Sequence, residues 1–157
     1  MSLKVEIAFK LNGHAVAQEI LTSASTLQVL NRDFDLAGAK LACGEGECGA
    51  CTILVDGVSR NACLMAGVDL DGRDVETVEG LWESNGLDPV QEAFVKSGAV
   101  QCGYCTPGMV MQAKYLLKPG KKLSRDEVLR GLEGNVCRCT GYHKIVDAIV
   151  AVSGETS

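Results

Sequence analysis

The sequence has few aromatic residues, no excess of positive charge and no long apolar run. Aromatic residues make up 4% of the 157 residues, so any hydrophobic core must be built mainly from valine, leucine, isoleucine and alanine. The formal net charge of −5 argues against nucleic acid and anionic membranes as partners. No apolar run approaches the ~20 residues that a membrane-spanning helix needs, which predicts that the chain does not insert into a membrane.

The first residues also lack the features of an export signal. An alternating strand pattern begins at once, without the apolar segment of a signal peptide and without twin arginines. These absences predict a cytoplasmic protein. A hydrophobic content of 46% beside 22% charged residues is typical of a globular chain and excludes disorder.

Cysteine, in contrast, is abundant, and its eight copies need a chemical explanation. Disulfides are rare in a reducing compartment, and a chain of this length does not need them to fold. An even count keeps a disulfide framework open only if the protein is exported. Metal binding is therefore the better interpretation.

The first half of the sequence predicts a small mixed sheet with one helix on its face. Residues 3–11 alternate apolar and polar side chains, as a half-buried strand does. Asn12-Gly13 predicts a type I′ hairpin turn, and residues 14–21 return as the second strand. Ser25 or Thr26 is expected to cap a helix. Three further strands are expected at residues 52–55, 58–64 and 74–78.

From about Gly80 the apolar pattern changes to the period of helices. A run of four helices is expected, the second of them stopped by Pro119-Gly120. Four helices in about 75 residues predict an all-α domain, so we expect residues 1–79 and 80–157 to form separate domains. The expected N-caps of the four helices are Asp88, Thr106, Ser124 and Thr140.

The first four cysteines have a spacing typical of plant-type iron–sulfur proteins. Cys43, Cys48 and Cys51 read C-x4-C-x2-C, and Cys63 follows after eleven more residues. An oxidised [2Fe–2S] cluster with four thiolates carries a charge of about −2, which needs compensation when it is buried. A loop of small residues can wrap closely and aim backbone N–H groups at the sulfurs. The glycines expected to shape this loop are Gly44, Gly46 and Gly49.

The second four cysteines form two closely spaced pairs. Cys102 and Cys105 read C-x2-C, and Cys137 and Cys139 read C-x-C after an interval of 31 residues. Each pair precedes a predicted helix, so the thiolates would meet at the positive ends of two helix dipoles. A bend at Arg138 is needed for the last pair to converge. Spacing alone fits an iron–sulfur cluster or zinc, and the neighbouring plant-type loop favours iron–sulfur.

Three other interpretations of the cysteines fit less well. Structural zinc usually joins two C-x2–4-C knuckles, which the gap before Cys63 does not match. A redox dithiol at Cys102 and Cys105 would leave six cysteines unexplained. Rieske ligation requires two histidines, and His14 and His143 lie in different predicted domains.

Three segments taken together resemble one protein family. They are Cys43-Gly-Glu-Gly-Glu-Cys-Gly-Ala-Cys51, Gln101-Cys-Gly-Tyr-Cys-Thr-Pro-Gly-Met109 and Cys137-Arg-Cys-Thr-Gly-Tyr142. The chain resembles the small iron–sulfur subunit of the molybdenum hydroxylases, the xanthine oxidase/aldehyde oxidoreductase family. The resemblance extends over the whole chain, and all eight ligand positions of the family are occupied.

The resemblance implies an α+β fold, with a plant-ferredoxin-like β-grasp domain over residues 1–79 and an all-α four-helix-bundle domain over residues 80–157. Each domain would hold one [2Fe–2S] cluster, and the helical one would lie proximal to molybdenum. The implied ligands are Cys43, Cys48, Cys51 and Cys63 for the distal cluster, and Cys102, Cys105, Cys137 and Cys139 for the proximal cluster.

The resemblance also implies partners and a role in electron transfer. The partners are a large subunit with a molybdopterin cofactor, usually a cytosine dinucleotide in bacteria, and an FAD-binding medium subunit. The chain would relay single electrons from the molybdopterin centre to FAD or another acceptor, as part of an oxidoreductase whose substrate is converted on the large subunit. Gln101, whose amide offers both a donor and an acceptor, and Cys139 would lie beside the pterin.

From the residues alone, two other functions stay open. The chain could be a free-standing two-cluster ferredoxin, or a zinc-stabilised interaction module. Gln101 could also be no more than a solvated turn residue. The isolation of the native complex, with metal analysis, separates these functions.

Overall fold

The computed structural model describes residues 3–82, 86–117 and 122–154. Within these ranges the fold is α+β, with a five-stranded mixed sheet followed by a helical half. The strands, in the spatial order β2-β1-β5-β3-β4, are β1 (Lys4–Leu11), β2 (His14–Leu21), β3 (Thr52–Val55), β4 (Val58–Asn61) and β5 (Asp74–Glu76). The α-helices are α1 (Thr26–Gln28), α2 (Pro89–Lys96), α3 (Thr106–Leu116), α4 (Arg125–Gly131) and α5 (His143–Ser153).

The hairpin of β1 and β2 forms as the sequence predicts. Asn12 and Gly13 both have positive φ angles, of 50° and 85°, as a type I′ turn requires. Ile7 and Phe9 are buried against the core, whereas Leu3 at the start of the alternating run is 72% exposed. β5 pairs in parallel with β1 and antiparallel with β3, which makes the sheet mixed.

The helix that crosses the sheet begins where its cap is predicted. The Ser25 side chain accepts from the N–H of Gln28, and the Gln28 side chain accepts in return from the N–H of Ser25, which is a capping box. α1 then widens into a π-helical turn over Val29–Asp33. Phe34 ends this turn and packs edge-on against Phe9, with the ring centroids 5.5 Å apart.

Two helices of the second half also begin at their predicted caps. Asp88 forms a capping box with Gln91 at the start of α2, and Ser124 forms one with Glu127 at the start of α4. The buried Asp88 carboxylate also accepts a hydrogen bond of 2.6 Å from the Lys114 ammonium group. This ion pair ties α2 to α3.

The predictions for the other two caps are wrong. α3 includes Thr106, because the chain already has helical dihedral angles at Cys105, which is the N-cap. α5 begins after Tyr142, so Thr140 lies outside it and its hydroxyl group has other partners. The predicted stop at Pro119-Gly120 lies outside the described residues.

Buried apolar side chains form two clusters, one between the sheet and α1 and one among α2 to α5. α3 packs against β3, and Leu54 of β3 belongs to the second cluster. This packing brings the start of α3 to the loop before β3. In the part of the chain that the structure describes, no helix is long and apolar enough to span a membrane.

Candidate metal centre

The loop before β3 brings the first four cysteines together. The thiols of Cys43 and Cys48 lie close enough to interact, and so do those of Cys51 and Cys63. Cys48 also lies close enough to Cys51 for their charges to interact. All eight cysteines of the chain lie within the described ranges, and all are free thiols.

Glycine is required at three points of this loop. Gly44, Gly46 and Gly49 have φ angles of +72°, +81° and +65°, in the left-handed region that costs glycine little and other residues more. The carbonyl group of Gly46 accepts a hydrogen bond of 2.8 Å from the Asn61 side chain, which holds the loop against the end of β4. The glycine-rich composition therefore has a conformational cause.

The path of the loop aims backbone N–H groups at the Cys43 sulfur. The nitrogen of Glu45 lies 3.4 Å from this sulfur, and the N–H groups of Cys48 and Glu47 also donate to it. The bond from Glu45, with a smaller contribution from the Cys48 thiol, lowers the pKa of Cys43 to about 6. Burial, in contrast, raises the pKa of Cys51 to about 11. Metal binding would replace the thiol protons, since thiolates are the metal-binding form.

The second four cysteines meet at the start of α3. The sulfurs of Cys102 and Cys139 lie 3.6 Å apart, and the thiols of Cys105 and Cys137 lie close enough to interact. Cys137 is buried, whereas Cys102 and Cys139 are exposed. The chain bends at Arg138, as the spacing of the last pair predicts.

The environment shifts the pKa values of these thiols in different directions. Burial raises the pKa of Cys105 to about 12, and the neighbouring Cys102 thiol raises that of Cys139. Burial also disfavours the Cys137 thiolate, but the hydroxyl of Thr140 and the N–H groups of Cys139 and Thr140 outweigh it and lower the pKa of Cys137. Cys137 is the thiol of this set that the surrounding groups favour as a thiolate.

A cavity of about 210 Å³ lies between the thiols of the second set. All four of these cysteines line it, and it reaches Cys48 of the first set. Within the described ranges, no three His, Cys, Asp or Glu side chains converge as ligands of a single metal ion do. The thiols around this space are a donor set that could hold two irons, with two thiolates on each.

The two sets of cysteines are joined by hydrogen bonds. The N–H group of Val136 donates to the carbonyl of Cys48 at 2.9 Å. The buried Asn135 side chain donates to the carbonyl of Gly49 at 3.0 Å and to the hydroxyl of Thr52 at 3.1 Å. A Cβ atom on Gly49 would collide with Asn135, so the two loops are in close contact.

Asn135 and Thr140 are the functional side chains that sequence reasoning missed. Asn135 bonds to a loop 86 positions away, and no local pattern indicates such a partner. For Thr140 the sequence does contain a signal, because a hydroxyl residue three positions after a candidate ligand is within reach of the ligand's sulfur. The oxygen of Thr140 lies 3.0 Å from the sulfur of Cys137.

The second set also opens onto an apolar surface. Gln101 is exposed beside Cys102, near the exposed thiol of Cys139. We call this face the thiol surface. Its apolar side chains, which are 42–48% exposed, are Val100, Tyr104 and Val136. Apolar patches with a polar rim are typical of interaction sites.

Two family models match the chain. One, described as a 2Fe-2S iron-sulfur cluster binding domain, matches residues 9–81. The other, described as a [2Fe-2S] binding domain, matches residues 77–150. The first match contains the first set of cysteines, and the second match contains the second set.

The chain is similar to known proteins over most of its length. The nicotine 6-hydroxylase small subunit of Paenarthrobacter nicotinovorans is 41% identical over 97% of this chain and 92% of that protein. The xanthine dehydrogenase iron-sulfur-binding subunit of Escherichia coli O157:H7 is 47% identical over 79% of this chain and 79% of that protein. The crystal structure of quinoline 2-oxidoreductase from Pseudomonas putida 86 has a TM-score of 0.92 and 38% identity, and covers 96% of this chain and 93% of its own. The chain therefore belongs to the family of small iron–sulfur subunits of the molybdenum hydroxylases, which act within multi-subunit oxidoreductases.

Proposed function

We propose that this chain relays single electrons from a molybdopterin centre, through two [2Fe–2S] clusters, to FAD or another acceptor. The observation that carries this proposal is that the eight thiols form two sets of four, with the thiols of each set standing in pairs. The two sets are joined by the hydrogen bond between Val136 and Cys48. When bound, each cluster accepts and passes on one electron at a time. The chain's own residues hold the clusters, compensate their charge and join the two loops that carry them.

The eight cysteines are the proposed ligands, four for each cluster. The thiols stand in pairs, which supports two thiolates on each iron of a two-iron cluster. The pairs proposed for the distal cluster are Cys43 with Cys48 and Cys51 with Cys63, and those for the proximal cluster are Cys102 with Cys139 and Cys105 with Cys137.

The surrounding backbone supplies positive charge at both sites. At the distal site, the loop bent by Gly44, Gly46 and Gly49 aims N–H groups at Cys43. At the proximal site, Cys105 is the N-cap of α3, where the helix dipole favours negative charge. These groups compensate the negative charge that four thiolates bring to each site.

We also propose that residues 1–79 form a β-grasp domain and residues 80–157 a four-helix-bundle domain. The separate apolar clusters of the sheet and of α2 to α5 support this division. The α3–β3 packing then acts as the interface between the domains. This arrangement would hold the two clusters at a fixed separation.

The thiol surface is the proposed docking site of a large molybdopterin-binding subunit. Gln101 and Cys139 are exposed there, which supports their placement beside the pterin, a cytosine dinucleotide if the complex is bacterial. Beside the loop of the first set, Leu64 is 63% exposed. It is the proposed contact with an FAD-binding medium subunit.

Two other functions are less well supported. A free-standing ferredoxin has no need of the exposed apolar side chains around Cys102 and Cys139. A zinc module does not account for the two [2Fe-2S] family models that match the chain. Copurification with a large subunit would argue against the first, and iron without stoichiometric zinc would argue against the second.

Two cysteine variants test the assignment of the clusters. Cys48→Ser should remove the EPR signal of the distal cluster. It should leave the proximal signal, because the main-chain carbonyl group at position 48, which binds the N–H group of Val136, is unchanged. Cys105→Ser should remove the proximal signal and leave the distal one. Each variant is the control of the other. Loss of both signals in either soluble variant would contradict the assignment of the two sets to separate clusters.

A further inference from the structure

A hydroxyl group contacts one of the proposed ligands directly. The Thr140 oxygen lies 3.0 Å from the Cys137 sulfur, and it accepts a hydrogen bond of 3.3 Å from the N–H group of Tyr142. A hydroxyl has one proton to donate and two lone pairs. Either atom could donate while Cys137 is a thiol, but a metal-bound thiolate has no proton, so the Thr140 hydroxyl is then the donor.

The turn that holds Thr140 has an unusual conformation. Gly141 and Tyr142 both have left-handed φ angles, of +63° and +68°, and for a bulky residue such as tyrosine this is an outlier. Strained residues persist where the surrounding contacts hold them. The Tyr142 hydroxyl supplies two such contacts, since it accepts from the N–H of Cys137 and donates to the carbonyl of the buried Asn135, both at 2.9 Å.

These contacts hold Thr140 in a single position relative to the sulfur. The main chain of Cys137 is bound on one side by Tyr142, and its sulfur is bound on the other by Thr140. Cys137 is only 7% exposed, so little water competes for the sulfur and the hydrogen bond is strengthened by the low local dielectric.

We propose that Thr140 raises the reduction potential of the proximal cluster by donating a hydrogen bond to Cys137, and that Tyr142 positions Thr140 for this role. The inference rests on the proposed function, because it takes Cys137 as a cluster ligand. One-electron reduction changes the charge of an all-thiolate cluster from about −2 to about −3. A donor on a ligating sulfur stabilises the more negative state more, so its loss favours the oxidised state.

A matched series at Thr140 tests the proposal. Thr140→Val removes the hydroxyl and keeps the shape, Thr140→Ala removes the whole branch, and Thr140→Ser keeps the hydroxyl. Each variant is studied as the full chain, together with the subunits that copurify with it, by redox titration followed by EPR. The valine and alanine variants should shift the proximal midpoint potential to more negative values. We expect up to about a tenfold change in the equilibrium constant of reduction, which is 59 mV for one electron.

The serine variant should stay near the wild-type potential, and the distal potential should not change in any variant. If the valine variant does not assemble its proximal cluster, the alanine variant carries the same test. Unchanged potentials with intact signals would overturn the role of Thr140 and leave the proposed function standing. An equal shift in the serine variant would overturn it too, because the cause would then be packing. A wild-type chain without iron–sulfur signals would overturn both.

Discussion

At the scale of single residues, Gly49 is constrained from three sides. Its φ angle is +65°, and a Cβ atom would collide with Asn135 and with the carbonyl of Gly134. The carbonyl group of Gly49 accepts hydrogen bonds from the side chains of Thr52 and Asn135. The same carbonyl group occupies the space that a Cβ atom on Gly108 would need. The contact of the two cysteine loops therefore leaves room for glycine only.

We predict that Gly49→Ala destabilises the chain and lowers its iron content. The left-handed conformation costs alanine about 1–2 kcal/mol, and overpacking adds about 1–3 kcal/mol. Gly57→Ala is the matched control, since Gly57 has a φ of +70° with nothing within 4 Å of its Cβ position. Urea unfolding and iron analysis measure both variants. Equal losses in the two would mean that conformation alone, and not the contact of the loops, limits position 49.

Single residues also show what the sequence could not reveal. The bend at Arg138 follows from the close spacing of Cys137 and Cys139, and the structure has it. The cap prediction for Thr140 is wrong because the same hydroxyl that caps helices can bind a sulfur. The hydrogen bonds of Asn135 depend on how the two halves of the chain pack against each other. The periodic pattern of apolar residues does not predict that packing.

At the scale of elements, local signals predict the first hairpin turn and three of the five helix caps. Ser25, Asp88 and Ser124 cap as expected, because a capping box needs only residues three positions apart. Strand lengths were less predictable, and β4 ends at Asn61 although its apolar pattern extends to residue 64. There the chain turns back so that Cys63 reaches the thiol of Cys51.

The contact between the two loops gives a prediction at this scale. Asn135→Ala removes two hydrogen bonds between the halves, each worth about 0.5–1.5 kcal/mol net, so it should lower the free energy of unfolding by about 1–3 kcal/mol. The carbonyl of Gly49 keeps its bonds from Thr52, so no acceptor is left bare. Both EPR signals should broaden, because both loops lose a shared support.

Asn61→Ala is the matched control for this variant. The Asn61 side chain at the end of β4 donates to the carbonyl of Gly46 in the first loop at 2.8 Å. It should disturb the distal signal and leave the proximal one. If Asn135→Ala also left the proximal signal at its wild-type width, the hydrogen bonds between the loops would not support that cluster.

At the scale of the whole molecule, the sequence predicts the α+β class and the order of a sheet followed by helices. The packing of α3 against β3, which brings the two sets of thiols together, is a tertiary contact that the pattern does not predict. One end of the cysteine region is buried at Cys137, and the other is exposed at Cys102 and Cys139. This asymmetry suits a relay that receives electrons at a docked face and passes them inward.

The most direct test of this account is the metal content and EPR spectrum of the purified full chain. Two [2Fe–2S] clusters predict a red-brown protein with about four irons and about four labile sulfides. Stepwise reduction should then give two EPR signals with separate midpoint potentials. Stoichiometric zinc without visible absorbance, or a single cluster with four of the eight thiols still free to react, would contradict the account.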